Sequence, residues 1–97
     1  MKKLYEFYWN CGRAGEIEGL FIAEEESIKS LVGEQIDLGE VLGKQSEVIG
    51  TVDATDITTK SEDQDLISSL EEIFVGGTLS GYNPLDYLFE DEDEEED

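Results

Sequence analysis

The sequence predicts an α+β protein in which an antiparallel sheet of about four strands, formed by two hairpins, carries two main helices on one face. Three observations predict this class. Two N-terminal apolar runs flank a glycine-containing turn, a second pair of shorter runs follows, and after each pair the apolar residues recur at helical spacing. The predicted order is therefore strand, strand, helix, strand, strand, helix.

The first hairpin is predicted at residues 3–23. Residues 3–10 alternate as in a strand and place three aromatic side chains on one side: Tyr5, Phe7 and Trp9. Turn residues at 11–16 lead to a second apolar run at 17–23. Gly19 inside this run predicts a bulge or a close packing contact.

A short helix and a second hairpin are predicted next. Three glutamates at 24–26 suit a helix N-terminus, and apolar residues at 28, 31 and 32 follow at helical spacing before Gly33. The runs 36–42 and 47–53 are then predicted as strands joined by a turn at 43–46.

The second helix has the strongest local signal in the chain. Ser61 and Gln64 have the spacing of a capping box, which predicts that the helix opens there. Five apolar residues follow on one side of about four turns: Leu66, Ile67, Leu70, Ile73 and Phe74. Gly76 and Gly77 are predicted to end the helix, and Asn83 followed by Pro84 to open a short final turn.

The chain is strongly acidic. It has 26 acidic and 6 basic residues among 97, which gives a net charge of −20. The net charge of a small domain usually has a magnitude of roughly 2–8. Residues 90–97 are all acidic and are predicted to form a disordered tail beyond a single domain at 1–89, which retains −12 without them. This charge argues against nucleic acid or an anionic membrane as direct partners.

Several kinds of site are excluded by composition. The chain has no histidine and only one cysteine, Cys11, so Ser-His and Cys-His catalysis, zinc and iron–sulfur sites and an internal disulfide are all excluded. No stretch matches a calcium-binding EF-hand loop. We therefore expect no enzyme activity, cofactor or metal. The lone cysteine and the absence of a signal sequence or membrane span predict a cytoplasmic location.

The distribution of charge suggests a binding function. Residues 61–97 carry 14 acidic residues and no basic residue. The candidate partner-binding residues lie on and after the second helix: Glu62, Asp63, Asp65, Glu71, Glu72 and Asp86. A row of carboxylates can replace DNA on a basic groove, because both release counterions from its Lys and Arg side chains. In charge alone the chain resembles the DNA mimics that phages direct against restriction or CRISPR enzymes, which share no motif.

Three alternatives stay open. The segment 76–84 has the glycines and polar groups of a small-ligand loop, with candidate ligand-binding residues Ser80, Tyr82 and Asn83. Arg13, the only arginine in the chain, is a further candidate because it can pair with a ligand anion. The acidic surface can instead serve only solubility. An exposed sheet edge can also make the protein an oligomer or an adaptor.

Overall fold

The computed structural model describes residues 1–40 and 47–88. It contains β1 (Lys2–Asn10), β2 (Glu16–Glu24), α1 (Glu25–Leu31), β3 (Gln35–Gly39), β4 (Val48–Thr51), β5 (Ile57–Ser61), α2 (Gln64–Ile73) and β6 (Thr78–Gly81), with 3-10 turns at Gly12–Ala14, Ala54–Asp56 and Pro84–Tyr87. The α+β class is therefore confirmed. The predicted turn at 43–46, the end of the run 36–42 and the predicted tail at 90–97 lie outside the described residues.

The main sheet has four antiparallel strands in the order β5-β1-β2-β6. The predicted first hairpin forms its centre, with β1 and β2 paired from Lys2 opposite Glu24 to Asn10 opposite Glu16. The second predicted hairpin, β3 and β4, also forms, but as a separate two-stranded sheet. Its predicted place in the main sheet was wrong because β5 and β6, which were not predicted as strands, occupy both edges of the first hairpin.

The two helices contact opposite faces of the main sheet, so the prediction that they share one face was wrong. Ile28 and Leu31 of α1 belong to the buried cluster that includes Tyr5 and Phe7. Ile67 of α2 is buried with Leu4, on the other face. The physical reason is that successive residues of β1 point to opposite faces, and both faces are apolar near its start.

The larger core lies on the α1 side, where the β3–β4 hairpin also packs. Trp9 helps to join this hairpin to the main sheet. Its indole Nε1 donates a hydrogen bond of 2.7 Å to the Asp56 carboxylate. Its ring lies against Gly50 of β4, where an added Cβ would be 3.2 Å from the nearest ring atom. This core therefore includes side chains from both sheets.

The start of α2 differs from the predicted capping box. Asp63 caps the helix, with its carboxylate accepting hydrogen bonds from the backbone amides of Asp65 (3.0 Å) and Leu66 (3.3 Å). Ser61 instead ends β5, and Gln64 donates a 2.8 Å bond to the Lys2 carbonyl. The helix therefore begins two residues later than the capping-box spacing predicts, because pairing with β1 keeps Ser61 extended.

The glycine and proline signals after α2 correspond to observed turns. The helix ends at Ile73, and both Gly76 and Gly77 follow with positive φ. Asn83 then opens the last 3-10 turn, as predicted, and its side chain accepts a 3.0 Å bond from the Leu85 amide.

Candidate acidic binding face

Helix α2 crosses the strands of the main sheet near the end of the sheet that contains the start of β1. It follows directly after β5, whose last residue Ser61 pairs with Leu4 of β1. Beyond the far end of the helix, the Gly77 carbonyl accepts a 2.7 Å hydrogen bond from the Ile22 amide of β2. Since β5 and β2 lie on opposite sides of β1, α2 spans the sheet at the level of Leu4 and Ile22 and leaves the rest of that face without a described helix.

The outer side of α2 is anionic. Ile67 is buried against the sheet, whereas Asp65 and Glu72 are exposed. These two carboxylates are seven residues apart, which places them two turns apart on the same side of the helix. The helix therefore has an apolar side towards Leu4 and Ile22 and carboxylates on the opposite side.

The two flanks of α2 differ. Gln64 and Glu71 lie on one flank and contact Lys2, with a Lys2 Nζ to Glu71 distance of 2.7 Å. Leu66 and Ile73 lie on the other flank, half a turn away, and are 42% and 69% exposed. Because Lys2 is at the start of β1, the Leu66 and Ile73 flank faces the part of the sheet that α2 leaves uncovered.

Three of the six predicted partner-binding carboxylates have interactions within the chain. Glu62 lies 3.4 Å from the Lys3 Nζ, Glu71 pairs with Lys2, and Asp63 caps α2. Such exposed ion pairs contribute little to stability, but they lower the charge presented to a partner.

The other three predicted residues are exposed but do not lie together. Asp65 and Glu72 share the outer side of α2. Asp86 lies on the 3-10 turn Pro84–Tyr87, whose Leu85 and Tyr87 pack against the core on the α1 side. The structure therefore brings Asp63, Asp65, Glu71 and Glu72 together on α2, whereas Glu62 pairs with Lys3 and Asp86 lies on the α1 side of the sheet.

Sequence reasoning missed a second group of residues, all polar except Leu20, on the uncovered part of the sheet. Glu6 lies opposite Leu20, Tyr8 opposite Glu18, and Asn10 opposite Glu16. Paired residues of an antiparallel hairpin share a face, so all six point to the α2 side. The alternation of β1 and β2 was visible in the sequence, but this grouping also requires the register of the hairpin.

The carboxylates of this group act on Tyr8. Interaction of the phenol with the nearby Glu16 carboxylate raises the Tyr8 pKa above its usual value, with smaller contributions from burial and from the charge of Glu18. The neutral phenol is favoured because ionisation would place a third negative charge beside two carboxylates.

We expect Glu16→Gln to lower the Tyr8 pKa towards that of a free tyrosine, about 10. A raised pKa favours folding fully below the unfolded-state value, and this contribution is lost as the pH rises through the folded-state value. An NMR titration of the Tyr8 ring from neutral to alkaline pH measures the shift. Glu34→Gln, an exposed change before β3, is the control and should leave the titration unchanged; equal shifts in both variants would contradict the contact with Glu16.

The predicted ligand loop at 76–84 contains the edge strand β6. Ser80 pairs with Leu20 and is exposed on this strand. Asn83 is buried, and besides capping the last turn it donates a 3.1 Å bond to the Thr78 hydroxyl. These contacts give Asn83 a structural role within the chain.

The structure separates the remaining candidate ligand-binding residues. Tyr82 is partly buried, with its ring centroid 6.1 Å from that of Tyr87. Arg13 is exposed in the 3-10 turn before β2, whereas Ser80 pairs four residues into that strand. The four predicted ligand-binding residues thus do not converge on one pocket.

Comparisons with known proteins give no assignment: no family model matches the chain, and no curated protein or solved structure matches it. Within residues 1–40 and 47–88, no cluster of three or more Cys, Asp or Glu side chains is arranged to hold a metal ion. None of the helices in the described part of the chain is long and apolar enough to cross a membrane.

Proposed function

We propose that this protein is a non-catalytic acidic binding protein that occupies the basic surface of a nucleic-acid-binding protein, as DNA mimics of phages do. The proposal rests on one observation: several exposed carboxylates on one side of the molecule are not paired with a described lysine or arginine. Asp65 and Glu72 of α2 and Glu16 and Glu18 of β2 are exposed on that side, and none of them forms an ion pair with a described Lys or Arg.

The nearby lysines pair with other acids. Lys2 contacts Glu71, and Lys3 contacts Glu25 at 3.2 Å. Lys60 of β5 lies 3.8 Å from Glu6. Each of these lysines is therefore neutralised by another carboxylate, so the outer side of α2 and the first part of β2 keep a negative potential that can attract a basic surface.

The spacing of the carboxylates on α2 favours a DNA-mimicking surface that extends beyond this helix. Asp65 and Glu72 are separated by about 10 Å along the helix axis, at a rise of about 1.5 Å per residue. A DNA strand places about three phosphates in that length. The helix is thus too sparse to replace DNA by itself, and in this proposal Glu16, Glu18 and the eight acidic residues of 90–97 supply further charge.

The small-ligand alternative has less support, because Asn83 has a structural role and Arg13 is separated from Ser80 along β2. A cytoplasmic location fits the proposal, since enzymes acting on nucleic acid are found there and Cys11 is a free thiol.

We expect the double variant Asp65→Lys/Glu72→Lys to bind the partner at least about tenfold more weakly, a loss of roughly 1.4 kcal/mol, because it reverses the charge on the outer side of α2. The measurement is affinity capture of a nucleic-acid-binding protein from host lysate, followed by titration of the purified pair. DNA should compete with the wild-type complex, and added salt should weaken it.

The matched control is Glu26→Lys/Glu34→Lys, which makes the same change in net charge at exposed positions near α1. It should retain most of the affinity. A complex that ignores salt and DNA, or equal losses in the two double variants, would refute the proposal.

A further inference from the structure

The uncovered part of the main sheet has the dimensions of a helix-binding groove. The uncovered segment of β1 extends from Glu6 to Asn10, about 14 Å at roughly 3.4 Å per residue. A helix with its side chains is about 10–12 Å across. One further helix therefore fits beside α2, on the same face and across the same strands.

The wall and floor of this groove contain exposed apolar surface. Leu66 and Ile73 form the wall on the flank of α2. Leu20 of β2, which is half-buried, and Tyr8 of β1, which is 39% exposed, belong to the floor. Withdrawing such side chains from water is favourable, so the groove favours an occupant with an apolar side.

A recess lies in the floor. It has a volume of about 270 Å³ and is lined by Glu6, Glu18, Gly19, Leu20, Ser80 and Gly81. Sites for drug-sized ligands usually measure about 300–1,000 Å³. The recess is just below this range, and it is large enough to admit a side chain of a protein partner.

The charge around the groove determines which polar side chains a bound segment should carry. Glu16 and Glu18 border the floor, and Asp65 is on the adjacent outer side of α2. A second copy of this chain, with a net charge of −20, would be repelled from the groove. The acidic residues 90–97 of the same chain would be repelled as well. A segment rich in Lys and Arg would be attracted and would compensate carboxylates that docking partly desolvates.

We propose that this groove binds a basic amphipathic helix of a partner protein, which lies beside α2 and across β1 and β2. Its apolar side packs on Leu20, Leu66 and Ile73, and its Lys and Arg side chains pair with Glu16 and Glu18. The inference deepens the proposed function and rests on it for the basic character of the partner. It adds an apolar contact that a purely electrostatic mimic of DNA lacks.

The test uses two synthetic 18-residue peptides of equal charge. The first has leucines at i, i+3, i+4 and i+7 spacing and lysines elsewhere, and the second has serine in place of each leucine. We expect the leucine peptide to bind at least about tenfold more tightly in fluorescence titrations at physiological salt. In NMR spectra it should shift the amides of Tyr8, Glu18, Leu20 and Ile73.

Variants of the protein test the same contact from the other side. Leu66→Ser/Ile73→Ser should remove most of the preference for the leucine peptide. Val75→Ser is the control, because Val75 is 93% exposed but lies just beyond the end of α2, on the side of Lys2 and Glu71 and away from the groove. Because all three side chains are exposed, circular dichroism should show the native fold in each variant.

The outcomes separate this inference from the proposed function. Equal binding of the two peptides, shifts confined to other surfaces, or an equal effect of Val75→Ser would overturn the groove. Salt-sensitive capture of a DNA-binding protein would then still support the proposed function. Selective binding of the leucine peptide, with capture of no nucleic-acid-binding protein, would support the groove and overturn DNA mimicry.

Discussion

Gly19→Ala is expected to abolish folding or to destabilise the protein by more than about 4 kcal/mol, a large part of the roughly 5–15 kcal/mol that stabilises a typical domain. An added Cβ would overlap the backbone carbonyl oxygen of Tyr82 and lie 2.6 Å from its carbonyl carbon. These are main-chain atoms, so no side-chain rotation relieves the clash.

The clash would also disturb the pairing of β6 with β2 at the edge of the sheet. Gly19 pairs with Gly81, which has φ of +67° and lies so close to β2 that its own Cβ would overlap the Glu18 carbonyl. Making room for a methyl group at Gly19 requires β6 to move away from β2. That movement would break the 3.0 Å bond from the Tyr82 amide to the Glu18 carbonyl.

Gly76→Ala is the matched control for the Gly19 substitution. Gly76 has φ of +99°, but no atom lies within 4 Å of the position that an added Cβ would occupy, so alanine there should cost only the backbone strain, about 1–2 kcal/mol. Urea denaturation followed by circular dichroism compares the two. If Gly19→Ala were no less stable than Gly76→Ala, the close approach of β2 and β6 would be wrong.

The Gly19 contact and the central hairpin were predictable because their signals are local. Alternation in β1 and β2 and the turn between them specify a hairpin, and a glycine inside an apolar run indicates a bulge or close approach. The edge strand β5 carries no such signal. Its sequence, Ile57–Ser61, has one apolar residue, and it is a strand because it pairs with residues of β1 that lie fifty or more positions earlier.

The placement of the helices was beyond sequence reasoning for a related reason. Leu4 and Tyr5 are adjacent and both are buried, so β1 is covered on both faces at its start. Helical spacing shows that a helix has an apolar side, but it does not show which face of a sheet that side covers. The actual arrangement places α1 and α2 on different faces.

The candidate site was predictable in its helical part only. Helical spacing located Asp65 and Glu72, which share the outer side of α2. The pairing of Glu71 with Lys2 depends on a contact between residues far apart in sequence, and the carboxylates of β1 and β2 come together only through the hairpin register. Nonlocal pairing therefore decides which carboxylates are available to a partner.

Ile67→Ala and Ile73→Ala are expected to differ sharply, although both remove the same atoms from the same helix. Ile67 is 2% exposed and packs with Leu4 and Ile22, so truncation should leave a cavity and cost about 2–5 kcal/mol. Ile73 is 69% exposed, and its truncation should change stability by less than about 0.5 kcal/mol.

Comparison of these two variants shows which side of α2 faces the sheet. The proposed groove depends on this orientation. Urea denaturation of both variants at one pH gives the two free-energy changes, and alanine suits a helix equally at either position. A large loss for Ile67→Ala alone means that Ile73 contributes no core packing and remains available to a partner on the uncovered side of the sheet. Similar losses would mean that the flank carrying Leu66 and Ile73 is already buried in the fold, and a partner helix would then have no apolar wall to contact.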